Sequence, residues 1–119
     1  MKKRVLLVED DPVLTRVLRD NLTFEGFEVF QAKNGQEGLD LALANHPDLI
    51  LLDLMMPKMD GFQFMTALNQ NEFFNKIPII AMSADSQIKE KLRNTMASTY
   101  IKKPLKISAL LEVVREYSM

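Results

Sequence analysis

Acidic, hydroxyl and ammonium side chains stand directly after short apolar runs of this 119-residue chain. Glu9 and Asp10 follow one apolar run, and Asp53 follows another. Ser83 and Lys103 hold the equivalent places after two further runs. Carboxylate oxygens are the donors that a hard divalent cation prefers, whereas an ammonium and a hydroxyl suit an anion. The five residues could therefore bind a cation and an anion side by side.

The chemistry follows from the charges. Three carboxylates in one partly buried site repel one another by about 3 kcal/mol per pair at ~5 Å and an effective dielectric near 20. The cluster needs a cation, and because the chain has no cysteine and one histidine, the all-oxygen donor set favours Mg²⁺. A divalent cation and an ammonium beside Asp53 are what acceptance of a phosphoryl group would require, since they neutralise its equatorial oxygens.

The elements that must position these side chains are five short apolar runs. They cover residues 5–8, 27–32, 49–52, 77–82 and 100–101. Helical periodicity fills the intervals, as in Leu14, Leu18 and Leu22. Asp11 and Pro12 suit the start of the first helix, and glycine and proline mark the later joints. This alternation predicts a parallel sheet with helices on both faces.

The burial pattern of the runs predicts which strands lie at the edges. The first, third and fourth runs are almost wholly apolar, as strands covered on both faces must be. The second run mixes polar and apolar positions, and the fifth is short and bordered by Lys102. We therefore expect the second and fifth strands at the edges. Ligands of open α/β sheets bind at the carboxyl ends of the strands, where Asp53 and its companions stand.

Composition limits the remaining possibilities. A chain of this length predicts one domain over residues 1–119. With 15 basic and 16 acidic residues, no overall field recruits nucleic acid or an anionic membrane. The first apolar run is too short for a secretory signal, and no stretch reaches the roughly 20 apolar residues of a membrane span. We expect a cytoplasmic protein whose function lies in a local site.

Four segments together resemble the receiver domain of response regulators in two-component signalling, including the chemotaxis-regulator type. The matching segments are residues 5–12, 47–61, 79–84 and 100–105. The resemblance spans essentially the whole chain, and the conjunction of the four motifs at this spacing is specific. It implies a flavodoxin-like (βα)5 three-layer sandwich with a five-stranded parallel sheet in the order 2-1-3-4-5.

The same resemblance implies a role for each site residue. Asp53 corresponds to the phosphoacceptor. Asp10, Asp53 and the backbone carbonyl of Met55 would bind Mg²⁺, with Glu9 acting through a coordinated water. Ser83 would bond a phosphoryl oxygen, and the amide of Ala84 would bond another.

Two further roles come from the resemblance. Lys103 would form an ion pair with the phosphoryl group, and a cis peptide is expected between Lys103 and Pro104. Tyr100 falls on the family's switch aromatic, which would act together with Ser83.

The function that the resemblance implies is a signalling domain and not an enzyme in the ordinary sense. It would accept a phosphoryl group from a sensor histidine kinase or a histidine phosphotransfer protein, with Mg²⁺-dependent self-phosphorylation and autodephosphorylation. A downstream output domain or protein would read the state from the fourth helix, fifth strand and fifth helix, without direct nucleic-acid or membrane binding. Because the chain ends about where the fifth helix ends, we expect no output domain, in either a free-standing regulator or an excised receiver.

Two departures and three alternatives accompany this interpretation. Residues 96–99 lack a glycine common in relatives, and Gly38 occupies a helical position at a cost of up to about 1 kcal/mol.

A related aspartyl-phosphate phosphatase would carry a second aspartate where Met55 stands. A flavodoxin-like binder would need a hydroxyl-rich loop in place of residues 9–11. A docking module that no longer transfers phosphoryl groups remains a third alternative.

Overall fold

The protein is built around one sheet of five parallel strands. Its computed structural model describes residues 2–56 and 58–119. Met1, within the predicted domain, and Pro57, within the second matching segment, lie outside the described residues. The strands are β1 Arg4–Val8, β2 Glu28–Ala32, β3 Leu49–Asp53, β4 Ile79–Ser83 and β5 Thr99–Lys102. Their order is β2-β1-β3-β4-β5, and every neighbouring pair is parallel. The predicted strand order and both predicted edge strands are confirmed.

The described residues form five α-helices, of which four connect successive strands and the fifth follows β5. They are α1 Pro12–Phe24, α2 Gly35–Asn45, α3 Gly61–Asn69, α4 Ile88–Lys91 and α5 Ile107–Tyr117, and a single 3₁₀ turn, Glu72–Phe74, follows α3. Within the described part of the chain, none of these helices has the length and apolar character of a membrane span.

Alternate strand residues face two separate cores, which makes the fold a three-layer sandwich. Leu6 and Val8 of β1 pack with residues of α2 and α3 in one core. Val5 and Leu7 pack with residues of α1 and α5 in the other. This division follows the two-residue period of a strand. Because β1, β3 and β4 are covered on both faces, their residues are nearly all buried, as the apolar runs predict.

Helix ends are fixed by local signals. The side chain of Asp11 accepts the amide hydrogens of Val13 and Leu14, so the predicted cap of α1 is confirmed. Gly26, with φ of 99°, follows the end of α1 in a conformation that favours glycine. Asp60 and Gln63 form a reciprocal capping box at the start of α3.

The structure revises the interpretation of Gly38. A Cβ atom at this position would lie 2.9 Å from the Phe64 ring and 3.1 Å from the Val8 side chain. Phe64 is fully buried, so its ring has little room to give. Gly38 therefore permits close packing of α2 against α3 and β1, which offsets its low helix propensity.

The region after β4 is the least regular part of the domain. The α4 helix has four residues, and its N-cap residue Gln87 makes no side-chain capping hydrogen bond. Asn94 follows with φ of 62°, a left-handed conformation that does not continue a helix. This short helix precedes residues 96–99, the segment in which the sequence departs from the receiver pattern.

Candidate functional site: an acidic pocket at the carboxyl edge of the sheet

The predicted site residues stand at the carboxyl edge of the sheet. Glu9 directly follows β1, and Asp53 is the last residue of β3. Ser83 is the last residue of β4, and Lys103 follows β5. Parallel strands share the direction of their carboxyl ends, so these four side chains meet at one edge.

Three carboxylates come together at this edge. Glu9, Asp10 and Asp53 each offer one oxygen, and these three oxygens lie within 4.8 Å of one another. Glu9 and Asp53 are buried, whereas Asp10 is exposed to solvent. The donor set consists only of carboxylate oxygens and fits a hard divalent cation such as Mg²⁺.

The ammonium of Lys103 contacts the two buried members of this acidic cluster. Lys103 Nζ lies 2.9 Å from Glu9 Oε1 and 3.4 Å from Asp53 Oδ1. The peptide bond between Lys103 and Pro104 is cis, as the resemblance implied. Lys103 also donates its backbone amide to the carbonyl of Ser83 over 2.8 Å. The lysine therefore ties β5 to β4 through its backbone and to the carboxylates through its side chain.

The surroundings of the pocket shift the pKa values of Glu9 and Lys103. Burial raises the pKa of Glu9 to about 7, and the nearby charge of Asp53 acts in the same direction, while the hydrogen bond from Lys103 opposes both. Burial alone would lower the pKa of Lys103, but its hydrogen bond and ion pair with Glu9 raise it overall. Without a divalent cation, the pocket therefore holds protons more tightly than isolated side chains would.

Backbone amides complete the surroundings of Asp53 and Ser83. The amide of Met55 donates to Asp53 Oδ1 over 3.2 Å, and the Met55 side chain is 73% exposed beside it. Ser83 is buried, and its Oγ accepts the amide hydrogen of Asp85 over 3.0 Å. A serine oxygen that accepts one hydrogen bond still has its own proton to donate.

The proposed switch aromatic lies away from this pocket. Tyr100 is half-buried on β5 and packs against the core on the α2 and α3 side. In the sheet it pairs with Ala81, two residues before Ser83. The pairing of β4 with β5 therefore connects Tyr100 to Ser83 through the backbone. This connection does not require contact between the two side chains.

A cleft of about 620 Å³ adjoins the acidic cluster between α1 and the end of β2. Glu9 and Asp10 form one wall of this cleft, and Arg16, Arg19 and Lys33 contribute basic side chains to the others. Sequence reasoning missed this basic lining. Arg16 and Arg19 lie one turn apart on α1, but Lys33 reaches the same cleft only because β2 pairs with β1. Sequence reasoning also missed the contacts of Asp85, which depend on the turn after β4.

The fold and this pocket define a doubly wound α/β domain with an acidic site at the carboxyl edge of its sheet. A family model described as the response regulator receiver domain matches residues 5–115. The chain belongs to the response regulator receiver domain family, whose members are signalling domains of two-component systems.

The polar-differentiation response regulator DivK of Brucella ovis (strain ATCC 25840 / 63/290 / NCTC 10512) is 34% identical over 119 residues, covering 98% of this chain and 97% of the relative. Chemotaxis protein CheY4 of Vibrio cholerae has a TM-score of 0.92 at 26% identity, over 98% of this chain and 99% of that one. The receiver domain of sensor histidine kinase PA1611 from Pseudomonas aeruginosa PAO1, with a magnesium ion coordinated in its active site cleft, has a TM-score of 0.87 at 26% identity, over 99% of this chain and 98% of that one.

Proposed function

We propose that this chain, as one receiver domain over residues 1–119, accepts a phosphoryl group on Asp53 and thereby switches its binding to partners. The observation that carries the proposal is the joint placement of Asp53 with two further carboxylates and the Lys103 ammonium at one edge of the sheet. A helix cap or an isolated structural ion pair would not bring these groups from the ends of three strands to one point.

In the transfer step, a carboxylate oxygen of Asp53 forms a bond to phosphorus as the bond between phosphorus and a donor histidine nitrogen breaks. The donor imidazole leaves, and an acyl phosphate remains on Asp53. Water then attacks phosphorus, which releases phosphate and restores the carboxylate. Lys103 lies 3.4 Å from Asp53 Oδ1, so it offsets part of the negative charge of the transferring group.

Other residues of the pocket have supporting roles in this proposal. Ser83 donates its hydroxyl proton to one phosphoryl oxygen, and the amide of Ala84 donates to another. Glu9 holds Lys103 over 2.9 Å and keeps the ammonium beside Asp53. Tyr100 acts with Ser83 as the switch pair.

A magnesium ion fits the donor set of Asp10, Asp53 and the Met55 carbonyl, with Glu9 acting through a bound water. Such an ion would neutralise charge on the phosphoryl oxygens. The crowding of three carboxylate oxygens within 4.8 Å supports this assignment.

The proposed partners follow from the family. A sensor histidine kinase or a histidine phosphotransfer protein supplies the phosphoryl group, and the cleft with basic side chains beside Asp10 lies where such a donor would approach. A downstream output domain or protein reads the face formed by α4, β5 and α5. The proposal places this exchange in the cytoplasm.

The test compares the parent protein with Asp53→Asn in the presence of Mg²⁺ and acetyl phosphate. The parent is expected to gain one phosphoryl group by intact mass spectrometry, whereas the variant stays unmodified because an amide is not a nucleophile here. Asp40→Asn, at an exposed aspartate of α2, is the matched control and is expected to be modified like the parent.

Equal labelling of Asp53→Asn and the parent would contradict the proposed phosphoacceptor. Complete absence of labelling in the parent, with both acetyl phosphate and a set of purified histidine kinases, would favour the docking module that no longer transfers phosphoryl groups. Loss of labelling in Lys103→Ala with retained folding would support the role of the ammonium.

A further inference from the structure

The loop between β4 and α4 is closed on itself by hydrogen bonds that begin at the Ser83 hydroxyl. The backbone amide of Asp85 donates to Ser83 Oγ over 3.0 Å. The carboxylate of Asp85 accepts the amide hydrogen of Gln87 over 2.8 Å and forms an ion pair with Lys91. Lys91 is the last residue of α4, so the ion pair ties the far end of that helix back to the loop.

The Asp85–Lys91 ion pair can stabilise α4 because this helix is only one turn long. A four-residue helix has little stability of its own, and Gln87 provides no side-chain cap for α4. Backbone hydrogen bonds of the segment include those from Ile88 to the Asp85 carbonyl over 3.3 Å, from Lys91 to the Gln87 carbonyl over 3.1 Å and from Leu92 to the Ile88 carbonyl over 3.0 Å. The Asp85 carboxylate is the side chain that joins both ends of this segment.

The Asp85 carboxyl is held in its ionised form by its partners. The hydrogen bond from Lys91 lowers the pKa of Asp85, and the amide of Gln87 acts in the same direction. The Asp85 side chain is 28% exposed and that of Lys91 is 53% exposed. Water and salt therefore reach the pair and moderate its strength.

We infer that the Asp85–Lys91 ion pair positions the hydroxyl of Ser83 for the phosphoryl group on Asp53. The inference rests on the proposed function and deepens it. Asp85 occupies one lone pair of Ser83 Oγ with its amide hydrogen, which fixes the oxygen and leaves the serine proton free to donate. Lys91 and Asp85 touch neither phosphoryl group nor metal, so they are positioning residues.

The size of the effect follows from the exposure of the pair. Exposed ion pairs typically change an equilibrium by about two- to fivefold. Loss of the ion pair allows the Asp85 amide to move. The fraction of molecules in which the Ser83 hydroxyl is oriented toward the phosphoryl group then falls. We therefore expect weaker binding of the phosphoryl group, with unchanged binding of Mg²⁺, because the three carboxylates are outside this loop.

The experiment measures the dissociation constant of beryllofluoride, a phosphoryl mimic that binds to the aspartate, at saturating Mg²⁺ in the full chain. Lys91→Met is expected to weaken this binding about two- to fivefold, and Lys91→Arg is expected to restore it. The Mg²⁺ dissociation constant, measured alone, stays that of the parent. Lys89→Met is the matched control, because Lys89 is also an exposed lysine of α4.

A second variant tests the same pair from its other side. Asp85→Asn removes the charge but leaves an oxygen for the Gln87 amide, and it is expected to weaken beryllofluoride binding as Lys91→Met does. Combining it with Lys91→Met costs little more, since residues that act as one unit are not additive. The difference from the parent is expected to shrink as salt is raised from about 0.05 M to about 0.5 M, because the Debye length then falls well below about 10 Å and the exposed pair is screened.

The possible results separate this inference from the proposed function. A parent protein that fails to bind beryllofluoride contradicts the phosphoacceptor function itself. A parent that binds it, with Lys91→Met binding equally well or more tightly, overturns the positioning role of the pair. A loss that Lys89→Met shares also overturns it, because general charge and not the ion pair would then be responsible.

Discussion

At the scale of single residues, the pocket concentrates more negative charge than it neutralises. Three carboxylates approach within 4.8 Å, whereas among the described residues Lys103 is the one ammonium paired with them. Burial, reinforced by the nearby charge of Asp53, raises the pKa of Glu9 to about 7. The unbalanced negative charge disfavours the metal-free fold and gives a divalent cation its binding free energy.

The cost of this repulsion can be measured with Asp10→Asn. Asp10 is the exposed member of the cluster, so its neutralisation is expected to stabilise the metal-free fold by about 1 kcal/mol after solvent screening. Urea denaturation in a chelating buffer measures the change, with Asp40→Asn as the control. Millimolar Mg²⁺ is then expected to raise the melting temperature of the parent more than that of the variant. A destabilised Asp10→Asn variant would show that the carboxylates do not repel one another.

A pH series tests the raised pKa of Glu9. The folded pKa of about 7 exceeds the ordinary value of 4.5, so the folded state binds more protons than the unfolded state between these values. In chelating buffer, the contribution of Glu9 to stability is therefore greatest below pH 4.5 and is lost as pH rises to about 7.

The comparison is with Glu9→Gln, which does not titrate. The free energy of unfolding of the variant minus that of the parent is expected to rise by up to about 3 kcal/mol across this window and then level off, because each pKa unit between the two values corresponds to about 1.4 kcal/mol. A difference that stays constant or falls with pH would contradict the raised pKa. Urea denaturation at each pH supplies both values.

At the scale of elements, the site depends on how closely α2 packs against α3 and β1. Gly38 allows this approach, because a Cβ atom there would lie 2.9 Å from the Phe64 ring. The contact also shows why propensity alone misjudges the position. A glycine that weakens an isolated helix can stabilise a packed one.

Gly38→Ala is expected to destabilise the protein by about 1 kcal/mol, since overpacking outweighs the gain in helix propensity. In a Phe64→Leu background the smaller side chain leaves room, and the same change is expected to become neutral or stabilising. Thermal or urea denaturation of the four proteins gives the coupling energy. A stabilising Gly38→Ala change in the parent would mean that the Phe64 ring can shift without cost.

Much of this architecture is predictable from the sequence because strand burial and strand-end chemistry are local signals. Val5 to Val8 could only suit a covered strand, and Asp53 and Ser83 end such strands. Strand bounds shift where backbone chemistry intervenes: Pro78 has no amide hydrogen for a sheet, and β4 begins after it.

Other elements could not be predicted in the same way. Strand burial and strand-end residues do not mark the start of α3, which is signalled instead by the capping-box spacing of Asp60 and Gln63. The Asp85–Lys91 pair joins residues six apart, a spacing that no regular helix face predicts. It depends on the turn that precedes α4.

At the scale of the whole molecule, the pocket is connected to a distant face through β4 and β5. Ser83 pairs with Lys102 in the sheet, and its carbonyl accepts the amide hydrogen of Lys103 over 2.8 Å. Tyr100 pairs with Ala81 in the same ladder. A new hydrogen bond from Ser83 to a phosphoryl group would therefore act on the strand that carries Tyr100.

Beryllofluoride with Mg²⁺ is expected to shift the amide resonances of residues 83–109 more than those of α1 and α2. The reason is that this range contains β5, α4 and the start of α5, which the ladder connects to the site. Two-dimensional NMR spectra of the free and activated protein measure the shifts. Perturbations confined to the neighbours of Asp53 would rule out the proposed switch and favour the docking module.

The most direct test of the central claim locates the phosphoryl group chemically. After incubation with acetyl phosphate and Mg²⁺, borohydride reduces an aspartyl phosphate to homoserine, and peptide mass spectrometry then identifies the position. The account predicts homoserine at position 53, formed only with Mg²⁺ and absent in Asp53→Asn. Reduction at another aspartate, or none in a protein that remains folded, would contradict the assignment of Asp53 as the phosphoacceptor.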